Sequence, residues 1–360
     1  MSGPKPLDGP ADGSAVTRGS VTIQGSVDDT TASVILTDAA GSTISLGGAR
    51  FAFGVILKQG RNVFTLVARD AAGNQTSTSL RLYLNTLAAT LTDPLPGATV
   101  HTDSLALSGT FKGSENTGIT VNGIVAFTDG QNFYVNNLPL ELGENTLTIT
   151  ITGLDGQTTT QTVTVTSSGP ASLQVEVEPQ VGLAPHTTRF TIGYSGTGSV
   201  ARYTLDADGD GVVDGTGTDI AIPLEYTYTA PGVYRPRVTL VDSAGKTNHQ
   251  TLTVLVQDPA RVDAFFTMLW SGMNSALTRG NVAQAAGYLN QSAKRKYTPV
   301  FAALKPNFPQ IVASYSPLQR LSVSETIGEY AIQRAANGQN RVYLIYFLKD
   351  TDGVWRVDEM

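Results

Sequence analysis

The stretch Gly60-Arg-Asn-Val-Phe-Thr-Leu-Val67 decides the fold of this chain. A Gly-x-Asn turn comes first, and the residues after it are mostly β-branched or aromatic, which favours a half-buried strand. The same pattern returns as Gly143-Glu-Asn-Thr-Leu-Thr-Ile-Thr150, 83 residues further along the chain. A repeat of that length is about the size of one small β-sandwich, so the sequence predicts a tandem array.

The two repeats have a further turn in common. Asp70-Ala-Ala-Gly73 closes the strand of the first copy, and Asp155-Gly156 takes its place in the second. These repeats resemble bacterial immunoglobulin-like domains, in which a Gly-x-Asn turn precedes a strand that ends in Asp-x-x-Gly. The resemblance covers about residues 16–167 and implies a fold rather than a particular activity. Because the links between units are short, we expect a semi-rigid rod.

A third unit resembles the polycystic-kidney-disease (PKD) domain, which is also an immunoglobulin-like sandwich. The matching motifs follow one another in the order expected for that family, and one departs from it. The family often has Trp-Asp-Phe-Gly-Asp where this chain has Tyr203-Thr-Leu-Asp-Ala-Asp208, so we expect the core aromatic to be shifted or replaced. The motifs are Gly182-Leu-Ala-Pro185, Tyr203 to Gly211, Tyr226-Thr-Tyr228, Pro231-Gly-Val-Tyr234 and Asp242-Ser-Ala-Gly245.

An acidic loop lies inside this third unit, with the sequence Asp206-Ala-Asp-Gly-Asp-Gly-Val-Val-Asp214. Four carboxylates drawn together repel one another unless a cation lies between them, and hard oxygen ligands suit Ca²⁺. The predicted metal ligands are therefore Asp206, Asp208, Asp210 and Asp214.

The acidic loop begins like an EF-hand but does not continue as one. The twelfth place, where an EF-hand needs a bidentate Glu, is Gly217, and no amphipathic helix flanks the loop. We therefore expect a structural Ca²⁺ site with a dissociation constant of ~10⁻⁴–10⁻³ M. The alternative is a solvated acidic loop whose glycines simply allow a turn.

At Asp258-Pro259 the apolar spacing changes to three and four, which predicts an amphipathic helix with Asp258 as its N-cap. Shorter helices follow, and after Pro317 the pattern returns to strands. Helices followed by antiparallel strands make an α+β domain. The predicted later elements are helices from 281 to 289, from 292 to 304 and near 311–312, strands 318–326, 329–335, 341–349 and 354–358, and turns at Asn337-Gly338 and Asp352-Gly353.

This order of elements, ending in Asp-Gly-Val-Trp355-Arg-Val, resembles the cone-shaped nuclear-transport-factor-like fold shared with ketosteroid isomerases. Some members catalyse reactions with a His–Asp pair or a buried Asp beside a Tyr. The three histidines of this chain (His101, His186 and His249) all lie outside the domain, which excludes a His-based pair there. The acids and tyrosines that could face a pocket are Asp263, Glu325, Glu329, Tyr330 and Tyr343.

The ordinary interpretation of those side chains is that the acids are solvated and the tyrosines belong to the core or its rim. Trp270 and Trp355 are likewise expected to be core residues, and Lys294-Arg-Lys296 a solvated helix face. The sequence therefore predicts no catalytic residue.

Composition limits the classes of function. The net charge is −6, with 13 Lys/Arg against 22 Asp/Glu in residues 1–257 and 11 against 8 in residues 258–360. An acidic β part disfavours nucleic-acid binding. There is no Cys, no apolar run of about 20 residues and no visible signal peptide, so neither disulfides nor a transmembrane segment is expected.

The predicted fold class is multidomain and mainly β: three immunoglobulin-like β-sandwiches in tandem followed by an α+β domain with helices packed on a curved antiparallel sheet. The predicted boundaries are 1–15 for a flexible leader, 16–86, 87–168 and 169–257 for the sandwiches, and 258–360 for the α+β domain.

The predicted function is a non-catalytic structural or adhesive module of a bacterial cell-surface or secreted protein, with an extracellular, cell-surface or periplasmic location. Its expected partner is a protein or polysaccharide at the cell surface. One alternative is a carbohydrate-binding accessory region of a secreted hydrolase, since PKD-like domains often accompany such enzymes. Against it, sugar platforms usually need exposed aromatics, and residues 1–257 contain no Trp. Another alternative is small-ligand binding or isomerase-like activity in the C-terminal domain.

Overall fold

The computed structural model describes residues 5–6, 10, 12, 14–16, 19–58, 60–84, 87–154, 156–336 and 339–360. It confirms the predicted fold class, with 54% of the chain in strands and 14% in helices. The chain divides into two compact units, one of residues 1–88 with 112–114 and one of residues 89–111 with 115–360.

The first unit is a sandwich of two sheets, in the orders β1-β3-β6 and β2-β8-β7-β4-β5. Strand residues alternate between buried and accessible, and the buried ones (among them Ile23, Phe53 and Leu66) fill the space between the sheets. The strands are β1 (Lys5–Pro6), β2 (Ser14–Val16), β3 (Ser20–Ser26), β4 (Ser33–Asp38), β5 (Thr43–Gly47), β6 (Arg50–Ile56), β7 (Gly60–Arg69) and β8 (Gln75–Leu84).

Part of the predicted leader differs from expectation. Lys5–Pro6 pairs with β3, and Ser14–Val16 pairs with β8. Both short strands add to existing sheets, because strand edges carry unpaired backbone groups that accept a further strand whatever its hydrophobic pattern.

The second sandwich begins the second unit, with sheets in the orders β10-β17-β16-β12-β13 and β14-β15-β11-β9. Its buried residues include Leu107, Phe133, Leu147 and Ile149. The strands are β9 (Ala88–Asp93), β10 (Thr99–Val100), β11 (Ser104–Lys112), β12 (Gly118–Val121), β13 (Ile124–Val125), β14 (Phe127–Thr128), β15 (Asn132–Pro139), β16 (Gly143–Thr152) and β17 (Thr158–Ser167).

The Gly-x-Asn turn has the same geometry in both copies, as the repeat predicts. Asn62 accepts a hydrogen bond from the Lys58 amide at 2.9 Å and donates to the Lys58 and Gly60 carbonyls at 2.7 and 2.9 Å. Asn145 makes the same three bonds around Glu141, at 2.8, 2.7 and 2.9 Å. In each copy, one asparagine side chain thus makes three hydrogen bonds to the backbone of the turn. The companion turn at Asp155 lies outside the described residues.

The third sandwich has sheets in the orders β18-β20-β23, β19-β27-β24 and β22-β21-β25-β26. Its core contains Val175, Phe190, Leu205 and Leu240. The strands are β18 (Leu173–Glu178), β19 (Val181–Leu183), β20 (His186–Tyr194), β21 (Val200–Asp206), β22 (Gly215–Gly217), β23 (Leu224–Tyr228), β24 (Gly232–Tyr234), β25 (Arg237–Asp242), β26 (Thr247–Thr251) and β27 (Val254–Gln257).

Tyr203 supplies the core aromatic of this sandwich. Its side chain is buried, and its hydroxyl donates to the Asp219 carbonyl at 2.9 Å. The ring lies directly against Gly217, where an added Cβ would be 2.2 Å from the Tyr203 hydroxyl oxygen. Gly217 is therefore required for packing.

The C-terminal domain packs its helices on the antiparallel sheet β28-β29-β30-β31. Phe266 and Met273 are buried beside Tyr330 and Phe347. Asp258 caps the first helix by accepting from the Ala260 amide at 2.9 Å, as predicted. The elements are α1 (Pro259–Thr278), α2 (Val282–Ala286), α3 (Gln291–Leu304), a 3₁₀ turn (Lys305–Asn307), α4 (Phe308–Ala313), β28 (Gln319–Val323), β29 (Ile327–Ala336), β30 (Gln339–Lys349) and β31 (Trp355–Glu359).

Two details of this domain depart from the sequence prediction. The second helix ends at Ala286, and Leu289 instead bridges to Val357 on the last strand. The Asn337-Gly338 turn lies outside the described residues.

The sequence predicts a semi-rigid rod, and in residues 89–360 the domains contact more than their neighbours along the chain. Leu154 of the second sandwich and Leu183 of the third both pack against the core of the C-terminal domain. Gly118 lies so close to the hairpin turn at Gly353 that an added Cβ would be 2.1 Å from the Asp352 carbonyl oxygen. The second sandwich therefore contacts the C-terminal domain directly, because small residues let the two backbones meet.

Replacing Gly217 with Ala tests the packing of Tyr203. The added methyl group would overlap a buried ring, so we expect the free energy of unfolding to fall by about 1–3 kcal/mol. Urea denaturation of the full chain measures this. The control is Gly47→Ala, since Gly47 has open space around it and lies outside the left-handed region. Equal stability of the two variants would contradict the packing role.

Candidate metal loop and interdomain cavity

The acidic loop connects β21 to β22. The carboxylates of Asp206, Asp208 and Asp210 can place one oxygen each within 4.8 Å of one another. Asp206 and Asp208 are half-buried and Asp210 is exposed. The structure thus brings together three of the four residues predicted to bind metal.

Backbone amides shape the loop around these carboxylates. The Gly209 amide donates to Asp206 Oδ1 at 2.8 Å, and the Gly211 amide donates to Asp206 Oδ2 at 3.0 Å. Both glycines have left-handed backbones, with φ of 81° and 89°. Residues with a Cβ adopt this conformation at a cost, which explains why glycine stands at both positions.

The fourth predicted ligand, Asp214, has a different contact. Its Oδ2 accepts from the Ala207 amide at 2.7 Å, and its own amide donates to the Leu205 carbonyl at 2.8 Å. Asp214 therefore closes the base of the loop and does not join the three clustered carboxylates.

The acidic loop also acts on two neighbouring tyrosines. Burial raises the pKa of Tyr226, and the charges of Asp214 and Asp208 raise it further. Burial likewise raises the pKa of Tyr228, whose hydroxyl donates to the Ala207 carbonyl at 2.7 Å. The carboxylates thus make the electrostatic potential around these tyrosines negative. Three hard oxygen donors in such surroundings fit a divalent cation of the calcium type.

A second candidate site is a cavity of about 880 Å³ within residues 89–360, where loops of the second and third sandwiches meet the C-terminal domain. Aromatic side chains (Phe265 and Trp355) and charged side chains (Asp129, Glu325 and Lys349) share its wall. Its volume lies in the range of about 300–1,000 Å³ that is typical of ligand pockets.

Two charged groups in this cavity have displaced pKa values. Burial raises the pKa of the Glu325 carboxyl, while the charge of Lys349 opposes the rise. Burial lowers the pKa of Lys349, and Glu325 opposes that change in turn. The Lys349 ammonium lies 5.3 Å from the centre of the Trp355 ring. Both shifts favour the neutral form, a property that is common at ligand sites.

The remaining candidates in the C-terminal domain are scattered. Tyr330 is buried and donates to Asp263 Oδ1 at 3.0 Å, and Arg320 lies 3.6 Å from the same oxygen. Glu329 accepts from Ser322 at 2.6 Å. Tyr343 lines a separate, smaller cavity. The structure does not bring the five predicted acids and tyrosines into one site.

Trp270 and Lys296 make ordinary structural contacts. Trp270 is buried against Tyr315, with ring centres 5.7 Å apart. Lys296 pairs with Glu359 at 2.6 Å on the surface. Trp355 differs from expectation, because its half-buried ring packs edge-on against Phe266 and also borders the larger cavity.

Three asparagines that the sequence analysis did not single out hold residues 89–360 together. Asn116 donates to the Trp355 carbonyl at 2.8 Å and accepts from the Trp355 amide at 2.9 Å. Asn136 does the same with Thr253, at 2.8 and 3.0 Å. Each side-chain amide thus pairs with both backbone groups of one residue in a neighbouring domain. We call these contacts the asparagine clamps.

Asn137 extends the contact between the second and third sandwiches. It donates to the Val175 carbonyl and accepts from Gln250, both at 3.0 Å, and Gln250 accepts from the Val175 amide at 2.7 Å. One signal was available in the sequence: Asn136 and Asn137 stand side by side in a strand, where asparagine is depleted.

Comparisons with known proteins bear mainly on the first sandwich. The family model of glucodextranase domain B matches residues 6–86, which supports the immunoglobulin-like assignment. No curated protein matches the chain. Within the described residues, none of the helices is long and apolar enough to span a membrane.

Among solved structures, the fibronectin(III)-like modules of CbhA from Clostridium thermocellum are 14% identical, with 48% of this chain and 96% of that chain covered and a TM-score of 0.20. The glucan-utilization protein SGBP-B of Bacteroides ovatus is 16% identical, with 72% and 69% covered and a TM-score of 0.21. A three-immunoglobulin fragment of titin is 12% identical, with 69% and 96% covered and a TM-score of 0.31. Scores this low carry no argument about activity.

Replacing Asn136 with Ala tests the asparagine clamps. The change leaves the amide and carbonyl of buried Thr253 without their partner, so we expect the free energy of unfolding to fall by about 1–3 kcal/mol. Urea denaturation measures it, with exposed Asn340→Ala as the matched control. If the two variants unfold at the same urea concentration, the clamp contributes nothing to stability.

Proposed function

We propose that this chain is a non-catalytic structural and adhesive module of a bacterial cell-surface or secreted protein. In this proposal residues 16–86, 87–168 and 169–257 are immunoglobulin-like domains, the third of them of the PKD type. Residues 258–360 form a cone-like domain that contributes to binding. The partner is a protein or polysaccharide outside the cell.

The observation that carries this proposal is the pairing of the asparagine clamps. Asn116 fixes the second sandwich to the C-terminal domain and Asn136 fixes it to the third sandwich, in both cases through backbone groups of the partner residue. A small buried cluster of Phe127, Tyr134, Val181 and Leu255 lies beside the Asn136 contact. Bonds of this kind oppose the relative motion of domains that is otherwise the default, and a scaffold requires such opposition.

Calcium is the second part of the proposal. Asp206, Asp208 and Asp210 would hold the ion, while Asp214 shapes the loop that presents them. An ion held there offsets the repulsion among the three charges and stiffens the loop between β21 and β22. Because three carboxylates contribute instead of four, the affinity belongs at the weak end of the range for extracellular modules.

Calcium should therefore stabilise the folded chain. With a dissociation constant of ~10⁻³ M, about 10 mM Ca²⁺ is expected to add about 1.4 kcal/mol to the free energy of unfolding. Thermal melting and calorimetric titration of the chelator-treated chain measure the effect. We expect the double variant Asp208→Asn, Asp210→Asn to lose it.

The matched control is Glu144→Gln with Glu176→Gln, which removes the same charge from exposed strand positions. Stabilisation by calcium that is equal in the control and in the aspartate variant would show general charge screening and would sink the calcium site. Stabilisation that persists in the control alone supports it.

Polysaccharide binding is a second candidate function, favoured by the larger cavity. The cavity has an aromatic edge at Trp355 beside the Lys349 ammonium and the Glu325 carboxyl, and sugars bind through stacking combined with hydrogen bonds. The first sandwich matches a family named after a domain of glucodextranase, an association that points to glucans as the first polymers to examine.

A panel of soluble glucans tests this candidate by calorimetry. We expect Lys349→Met to weaken binding at least about tenfold, since the substitution keeps the length of the side chain but removes its donors. The control is Lys305→Met, which changes an exposed lysine outside the cavity. Failure of the unmodified chain to bind any glucan, or equal binding by the two variants, rejects the cavity as a sugar site.

A further inference from the structure

The C-terminal domain contains a second cavity of about 190 Å³, separate from the larger one. Helix α1 contributes Trp270, α3 contributes Phe301 and α4 contributes Phe308, while the sheet contributes Ile332 and Ile345. Most of its wall is hydrocarbon. Such a wall binds the apolar part of a ligand by removing it from water.

One cation lies in this apolar wall. Arg334 of β29 lines the cavity, and its Nε is buried without a hydrogen-bond partner. No ion pair involves Arg334 among the described residues. The residue directly opposite it on β30 is Arg341, which adds a second positive charge and does not neutralise the first.

The Nε atom of Arg334 is buried without a partner, while the side chain as a whole is half-buried. A buried donor without an acceptor is costly, because it loses the hydrogen bonds that water gave it. The other three buried side-chain atoms without partners in the described part of the chain belong to Asp103, Asn248 and Asn274, so Arg334 is the cation among them. The site therefore suits a ligand that combines an anionic group with an apolar body.

Two tyrosines add to the polar side of the cavity. Tyr315 and Tyr343 both line it, and Tyr315 bridges to Arg334 through the backbone. Burial raises the pKa of Tyr315, so its hydroxyl keeps its proton at neutral pH and can donate a hydrogen bond. One arginine and two tyrosines thus belong to the wall of the same apolar pocket.

We propose that this cavity binds a small monocarboxylic acid whose body is one aromatic ring or a short alkyl chain. The carboxylate pairs with the Arg334 guanidinium, whose planar set of N–H groups matches the two carboxylate oxygens. The ring or chain lies against Trp270 and Phe301. The volume is below the range of about 300–1,000 Å³ for drug-sized ligands, which limits the body to about that size.

A phosphate group fits this cavity poorly. Its higher charge needs more donors than one guanidinium and two hydroxyls supply, and the hydrocarbon wall offers no replacement for water. The inference does not rest on the scaffold role, because the pocket lies inside the C-terminal domain, away from both the metal loop and the larger cavity.

Calorimetry and saturation-transfer NMR on the full chain test the proposal, with benzoate and hexanoate as probes. Benzamide is the neutral counterpart of benzoate, acetate lacks the apolar body, and inorganic phosphate tests for simple anion binding. We expect both acids to bind and each of the three comparison probes to bind at least about tenfold more weakly.

The variant Arg334→Met removes the charge while keeping the length of the side chain. We expect it to weaken benzoate binding at least about tenfold and, without ligand, to melt at the same temperature as the unmodified chain or higher, because a buried donor without an acceptor has been removed. Arg279→Met is the control, since Arg279 is exposed at the end of α1 and its side chain donates to Gln284 outside the cavity.

If Arg334→Met does not fold, Arg334→Lys tests the assignment instead, because lysine keeps the charge but lacks the planar guanidinium group. Weaker benzoate binding by that variant supports the assignment. Undiminished benzoate binding by either variant, binding of benzamide as tight as that of benzoate, or no binding of either acid to the unmodified chain overturns it.

Discussion

The organisation of residues 89–360 depends on one constraint: every backbone amide and carbonyl that is removed from water needs a partner. Where domains meet edge to edge, no regular ladder is available, and side-chain amides replace it. Asn116 and Asn136 each offer a donor and an acceptor about as far apart as those of a peptide group, so each completes the bonding of one residue across a junction. The same amide chemistry closes the turns at Asn62 and Asn145 within single domains.

That constraint also explains the larger cavity. Domains joined through backbone bonds at a few points need not fill the space between those points, and the larger cavity lies beside the contact of Asn116 with Trp355. Charged groups that line such a space are neither fully hydrated nor fully paired, which is why burial displaces the pKa values of Glu325 and Lys349 in opposite directions. In the smaller cavity the same condition applies to Arg334.

Local features were predictable from the sequence, and long-range features were not. The Gly60 and Asn62 turn, the Asp258 cap and the alternating strands depend on residues within a few positions of one another. The spacing groups Asp214 with the other predicted metal ligands, but it does not show that the Ala207 amide donates a hydrogen bond to the Asp214 carboxylate. The sequence predicts that the core aromatic is shifted or replaced, but it does not show that Gly217 gives the ring of Tyr203 the space to lie in the core. The asparagine clamps join residues more than a hundred positions apart, and no local pattern specifies such a pairing.

The contact between Asn116 and Trp355 spans 239 residues of sequence. A ribosome that adds about 5–20 residues per second needs roughly 12–48 s to cover that distance. During this time the second sandwich has emerged, but its binding surface at Asn116 and Gly118 still faces water. The order of synthesis therefore leaves the side-chain amide of Asn116 without its partner until the hairpin that contains Trp355 has been made.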